Sequence, residues 1–523
     1  MTAVRRLFAV TAMVLASLLP ISRTNRAAAI LTQARPYLVL IVLDGFRPDY
    51  LTLAPMRHLH QLMASGMTYD RAWVGQLETE TPTGHATIVS GLFPRKHGVL
   101  GFGWRDPSGQ GFSWMPTDLR QLNAGLMERQ IESAGVPTIS DLLHRQDPSA
   151  TSVSISGEKY YAADAMGTGA DYIVYGQRGA TSSTPGLTVS TIGSHAPPQA
   201  AHIRDLSVKG PAYPWVQDAF VARLGARLVH VVRPRMLLLN FPGTDIQGHI
   251  TGGVIAPESM KIVVKGADAA LGTVMAAYRK AGIFQQTDWI ITADHGMLPN
   301  THHAPIKQMY ADVRALKDPA LEDDFLGTAG YIYLRRGIDA ATDAAALEAR
   351  HIPYTEGALY RVPEGGGYAC RADASSARSF GRSLTRAYLD LCDTFASAGG
   401  PDVILPYAED TFGLQLPDSP HHGNHGGLSW RVQHIPLVMS GPGIRQGYSS
   451  FPAQLVDIAP TVERLMGFPV PAGVDGVTLA DALVHTTAKD RTLQNSVRPS
   501  RQRDTGALMA HSAAQHAATL GGG

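Results

Sequence analysis

Neither sign of charge dominates this chain. Its 523 residues carry 45 Lys and Arg against 44 Asp and Glu, a net charge of +1. No global field draws it toward nucleic acid or an anionic membrane, and no basic stripe marks a nucleic-acid face. Any phosphate recognition is therefore local. Cysteine is nearly absent: Cys370 and Cys392 are the only two, and neither lies where a lipoprotein would need it. No apolar run after the N-terminal stretch is long enough to span a bilayer. No repeat of solenoid type occurs. What is present reads as a soluble globular enzyme: 44% hydrophobic, 17% charged, and longer than one simple domain. Fifty-three Gly and 34 Pro imply many turns and long loops.

The first residues, MTAVRR, are basic; LFAVTAMVLASLLPI is apolar; small residues follow to about Ala29. The expectation is a signal peptide over 1–29 and an exported protein: secreted, periplasmic or on the cell surface. Membrane contact follows only if that segment stays uncleaved. Export permits a Cys370–Cys392 disulfide; two buried thiols is the other reading. Strand and helix patterns then alternate, which predicts an α/β fold with a mostly parallel central sheet flanked by helices. A catalytic core is expected over 37–321 and again over 416–485, with a loop or lid at 176–215. A smaller inserted domain is expected over 322–415. The tail, 486–523, is polar and weakly patterned and is expected to be disordered.

Three apolar runs end in metal-ligand residue types. YLVLIVL (37–43) stops at Asp44, MLLLNF (236–241) leads to Asp245 and His249, and WIITA (289–293) stops at Asp294 and His295. Short apolar runs of this kind suit strands buried on both faces. Ligands in open α/β sheets bind beyond the carboxyl ends of the strands. A fourth cluster, His421, His422 and His425, completes a mixed oxygen and nitrogen set. That set suits zinc and tolerates manganese or cobalt. Asp44, Asp245, His249, Asp294, His295 and His425 exceed one tetrahedral site, so two cations is the natural count. Two cations clamp the entering and leaving oxygens of a displacement at phosphorus.

That chemistry needs a nucleophile. In TETPTGHATIVSG (79–91), Thr81 or Thr83 stands in a turn closed by Pro82 and Gly84 before a helical run. A hydroxyl there meets free amides and the positive end of the helix dipole. Simple capping is the structural alternative.

The blocks LDGFRPDYL (43–51), TPTGHATIVSGLFPRKHGV (81–99), TDIQGH (244–249), TADHGM (292–297) and HGNHGG (422–427) resemble the alkaline phosphatase superfamily. They are most similar to its nucleotide pyrophosphatase/phosphodiesterase branch. DIAPTVERLMG (457–467) and DGVTL (475–479) extend the likeness to about residue 485. The resemblance implies an alkaline-phosphatase-like fold and a two-zinc phosphoesterase working through a phospho-threonine. The nucleophile would be Thr81, four residues before His85. One zinc would be held by Asp245, His249 and His425. The other would be held by Asp44, Asp294 and His295, with Thr81 bridging toward substrate. His422 is read as a loop residue.

One departure stands out. The branch usually places a phosphate-binding Asn after the HGV block, where this chain has Phe102 and Gly103. Lys159 is the candidate substitute donor, and Phe102, with Trp104 and Trp114, a candidate apolar wall for the substrate's leaving group. The expected substrate is a small phosphorylated molecule, nucleotides included, cleaved at a phosphodiester or pyrophosphate bond. Phosphomonoester or phosphonate hydrolysis and a non-catalytic metal-binding relative are the alternatives. A sulfatase would need Cys or Ser in a C/S-x-P-x-R sequence, and position 81 is Thr.

Overall fold

The computed structural model describes residues 35–521 except 107, 109–110, 179–185, 202–205, 208–212, 326, 336–338 and 413–420. The expected signal peptide lies outside the described residues. In chain order the elements that matter are β1 (Tyr37–Leu43), β2 (Met67–Tyr69), α1 (Thr81–Ser90), β3 (Ser152–Ser156), β4 (Tyr172–Arg178), β5 (Gly186–Thr191), β6 (Leu206–Ser207) and α2 (Tyr213–Val231). Then come β7 (Met236–Phe241), α3 (Gly243–Thr251), α4 (Pro257–Lys280) and β8 (Thr287–Thr292). A second group follows: β9 (Ala320–Asp324), β10 (Ala329–Leu334), β11 (Leu359–Glu364), β12 (Gly367–Ala372), α5 (Ala374–Asp393) and β13 (Val403–Pro406). The chain returns through β14 (Leu437–Ser440) and β15 (Gly447–Ser449) and ends in α6 (Ala488–Gly521).

The main sheet has the order β15-β2-β14-β8-β1-β7-β3-β4-β5-β6. Strands β8, β1, β7, β3 and β4 all run parallel at its centre, and the antiparallel pairings lie toward its two ends. The central strands are apolar because both faces are covered: Leu38 to Val42 and Met236 to Leu239 have no exposed surface. Helices α2 and α4 pack on this core through residues such as Phe220, Val263 and Val274. The fold class read from the alternating pattern is the one observed.

A second sheet, order β9-β10-β13-β11-β12, spans residues 320–406 and so begins two residues before the span expected as an inserted domain. It belongs to the same compact unit as the rest of Pro36–Gly523. Cys370 on β12 and Cys392 on α5 form a disulfide with Cα atoms 5.9 Å apart. Two stretches depart from the expected pattern. The span 176–215, expected as a loop or lid, contains strand in its described residues: β5 pairs antiparallel with β4, because Thr188, Val189 and Thr191 are β-branched and Leu187 reaches the core. The tail expected to be disordered is the helix α6. Its sparse apolar residues include buried Leu508. Its polar residues bond outward: Arg501 to Asp457, Arg503 to Asp390 and His511 to Glu356. Among the described residues no helix is long and apolar enough to cross a membrane.

Candidate metal centre

The register of the central sheet brings the candidate ligand residues together. Leu43 on β1 sits opposite Phe241 on β7, and Val42 opposite Thr292 on β8. The strands therefore end side by side, and Asp44, the Asp245 helix and Asp294–His295 open into one crevice. His425 arrives from the loop after residue 420.

The six side chains fall into two groups, Asp245, His249 and His425, and Asp44, Asp294 and His295. Within each group, one donor atom from every residue lies within 4.8 Å of the others. All but His249 are buried. In the first group His249 Nε2 is 3.3 Å and His425 Nε2 3.4 Å from Asp245 Oδ1. In the second, His295 Nε2 is 3.6 Å from Asp44 Oδ1 and 3.5 Å from Asp294 Oδ2. The groups adjoin: His295 Nε2 lies 4.0 Å from Asp245 Oδ1.

The ring orientations fit cation ligands. His249 Nδ1 faces Gly423 O at 2.9 Å, His295 Nδ1 faces Gly296 O at 2.9 Å, and His425 Nδ1 faces Thr79 O at 2.7 Å. A carbonyl oxygen only accepts, so each Nδ1 carries a proton and each ring, when neutral, presents a bare Nε2 to the crevice. His249 Nε2 and His425 Nε2 face each other at 3.2 Å. Asp245 Oδ1 and Asp294 Oδ2 are buried and receive no hydrogen bond. Lone pairs without donors, converging from imidazole and carboxylate, are the chemistry a divalent cation satisfies.

Electrostatics agree. Burial pushes His425 down to about 3 and His295 down to about 4, so both rings are neutral near pH 7. Burial, then the Asp44 charge, pushes Asp294 up to about 8. Burial opposes ionisation of Asp245, but Lys159 and His249 outweigh it and hold its carboxyl well below the usual range. Burial also works against the Lys159 ammonium. Asp245 and Asp44 overcome that and hold it charged.

Thr81 is the first residue of α1, and its Oγ1 lies 3.5 Å from Asp44 Oδ1 and 3.4 Å from His295 Nε2. Thr83 is buried with its hydroxyl unpartnered and bonds to neither group. Helix α1 comes this close because residue 84 is Gly: a Cβ there would stand 2.9 Å from Asp294 Cβ. His85 Nδ1 donates to Thr81 O at 2.7 Å. Lys159, just after β3, donates to Asp44 Oδ1 at 2.8 Å and Thr81 Oγ1 at 3.1 Å, and pairs with Asp245 Oδ2 at 2.6 Å. Phe102 meets Tyr161 edge to face at 5.1 Å. Thr81, Phe102, Lys159, Tyr161, His249 and His421 line one cavity of about 450 Å³. Trp104 and Trp114 do not line it. His422 is exposed and touches the centre only through its backbone, donating to His249 O at 2.6 Å. Another cavity, about 510 Å³, lies against Trp215, Ile262 and Ala269 and contains no imidazole or carboxylate.

Several supporting residues escaped the sequence reading. Asn240 Nδ2 donates to Asp44 Oδ2 at 3.0 Å, and Thr244 Oγ1 to Asp44 O at 2.5 Å. Thr79 accepts from His425 Nδ1 and also from Gly426 N–H, at 2.8 Å. A lone Asn inside MLLLNF was the available signal; Thr79 and Thr244 gave none.

Parallel strands ending in a carboxylate–imidazole crevice beside a helix-terminal threonine define the alkaline phosphatase superfamily architecture. Residues 38–372 match the family described as Type I phosphodiesterase / nucleotide pyrophosphatase, and the chain belongs to that family. It is 24% identical over 279 residues to Bis(5'-adenosyl)-triphosphatase enpp4 of Xenopus laevis, covering 52% of this chain and 49% of that one. It is 36% identical over 69 residues to human Ectonucleotide pyrophosphatase/phosphodiesterase family member 5, covering 13% of this chain and 14% of that one. The chain thus spans half or less of these relatives' length. Among solved structures, wild-type alkaline phosphatase PafA superposes with a TM-score of 0.64 at 16% identity, over 86% of this chain and 100% of that one. Murine ectonucleotide pyrophosphatase / phosphodiesterase 5, inactive and in complex with AMP, gives 0.54 at 17%, over 84% and 96%. These two likenesses concern the fold.

Proposed function

We propose that this protein is an exported phosphoesterase that cleaves phosphodiester or nucleotide pyrophosphate bonds through a phospho-threonine on Thr81. The observation that carries the reading is the convergence of six carboxylate and imidazole side chains in two adjoining groups beside one helix-terminal hydroxyl. Asp245, His249 and His425 would hold one divalent cation, and Asp44, Asp294 and His295 the other, with zinc best suited to this donor set. When bound, the cations supply positive charge that eases ionisation of the hydroxyl and offsets charge on the transferring group.

The chain's own groups do the rest. Helix α1 presents its positive end to the phosphate. Thr81 Oγ1 loses its proton and bonds to phosphorus as the P–O bond to the leaving group breaks. The leaving group departs as an alcohol or phosphate, and water then cleaves the Thr81 ester and restores the hydroxyl. Lys159 donates to a non-bridging oxygen in place of the absent Asn. Phe102, edge-on to Tyr161, bounds the esterified group. AMP bound to a murine relative and the adenosine-based name of a frog relative support a small nucleotide-like substrate.

Rates on a nitrophenyl phosphodiester and a nitrophenyl phosphomonoester test the reading, before and after chelation and with Thr81→Ala. Diester preference, loss of turnover on chelation, and loss on Thr81→Ala with cations retained are expected. A strong monoester preference would overturn the substrate assignment. Full activity in Thr81→Ala would overturn the mechanism.

A further inference from the structure

We propose that Gln217 and Asp218, adjacent on α2, are positioning residues that set the two halves of the centre separately: Asp218 seats the helix bearing Asp245 and His249, and Gln217 seats Lys159. The proposal rests on reading the centre as a cation site. Both side chains are fully buried although polar, and Asp218 Oδ2 takes no hydrogen bond, so the placement is costly and only the bonds at Asp218 Oδ1 and Gln217 offset it. Asp218 Oδ1 accepts the Gly243 N–H at 2.8 Å. Gly243 opens α3, where the first amides lack partners within the helix. Asp245 stands two residues further on, and His249 one turn beyond it.

Gln217 makes a two-pronged clamp. Its Oε1 accepts the Glu158 N–H at 2.7 Å, and its Nε2 donates to Glu158 Oε2 at 2.9 Å. The next residue is Lys159, whose ammonium touches Asp44, Asp245 and Thr81. The clamp closes directly on the chain: a Cβ at Gly157 would collide with Gln217 Oε1. Helix-on-sheet packing alone needs only apolar residues here. Such residues would leave the Gly243 and Glu158 amides without acceptors. One turn of α2 therefore ties the start of α3, which would hold cation ligands, to the separate loop that carries the substrate-facing lysine.

The test compares the full chain with Asp218→Ala, Asp218→Asn and Gln217→Ala. Zn2+ affinity is measured by chelator competition, Co2+ sites by absorbance, and kcat and KM on a nitrophenyl diester. Asp218→Ala should weaken one of two cations about 10- to 100-fold, the range for lost outer-shell partners, and leave the other within about threefold. Asp218→Asn keeps the acceptor and should restore wild-type affinity. Gln217→Ala should bind both cations normally while diester kcat/KM falls about tenfold. The proposal is overturned if Asp218→Ala binds both cations as wild type does, or if Asp218→Asn is as weak as Asp218→Ala. It is also overturned if Gln217→Ala loses cation affinity rather than kcat/KM. Should Asp218→Ala not fold, the Gln217→Ala split and the Asp218→Asn affinities still decide. A wild-type chain that takes up no cation overturns both this proposal and its parent reading, and the first titration shows it before any variant is compared.

Discussion

Lys159 offers a sharp test, because it should be needed for stability only when the cations are gone. Its ammonium is nearly buried, 2.8 Å from Asp44 Oδ1 and 2.6 Å from Asp245 Oδ2. At an effective dielectric near 20, each contact corresponds to roughly 6 kcal/mol of Coulomb attraction. Desolvation cancels much of that, and removing one partner of a buried pair costs about 3 to 5 kcal/mol because the other charge is left uncompensated. Lys159→Met should therefore destabilise the chelated protein by about 3 to 5 kcal/mol. With cations bound, Asp44 and Asp245 are already neutralised, and the loss should shrink to about 1 kcal/mol or less, the scale of ordinary packing changes. The assay is guanidinium unfolding of wild type and variant, each with EDTA and with excess Zn2+. Equal destabilisation under both conditions would refute the reasoning, since the carboxylates would then owe nothing to a cation.

Two further outcomes concern stability alone. Glu463 is fully buried and receives no hydrogen bond; burial, partly opposed by Arg464, pushes it from 4.5 up to about 8. A carboxyl raised in the folded state contributes stability below its unfolded value, and that contribution is lost as pH rises through the folded value. The wild type should thus lose on the order of 4 to 5 kcal/mol from this group between pH 4.5 and 8. Glu463→Gln should be the more stable protein at pH 8 and converge with wild type near pH 4.5; urea melts showing no gain at pH 8 would contradict this. The Cys370–Cys392 bridge closes a loop of sequence separation 22, so Cys370→Ser/Cys392→Ser should cost about 3 kcal/mol in the loop-entropy account. An unchanged denaturation midpoint would show that the unfolded chain gains nothing from release.

The parts legible in the sequence share one physical trait: the signal is concentrated. YLVLIVL, MLLLNF and WIITA are uninterrupted apolar runs, so their burial and their ends could be read directly. The candidate ligands Asp44, Asp294 and His295 follow immediately on such ends. Thr81 needed the family motif, because a Thr ahead of a helix is usually a cap. The rest is dispersed. Gln217 and Asp218 lie in the second turn of a helix, where two polar residues look like a solvated face. Thr79 acts through its backbone carbonyl and hydroxyl on a residue far along the chain. Strand β5 was hidden in a Ser- and Thr-rich stretch whose composition resembles a loop. The tail helix was missed because ion pairs such as Arg501–Asp457 hold it where apolar residues are few, and no periodic stripe advertises them.

The most direct test of the account is a titration of chelated protein with Zn2+, following diester hydrolysis and bound metal together. Activity should be absent without cation, rise as Zn2+ is added, and saturate at two bound equivalents. Full hydrolysis by protein holding no cation, or saturation with none bound, would contradict it.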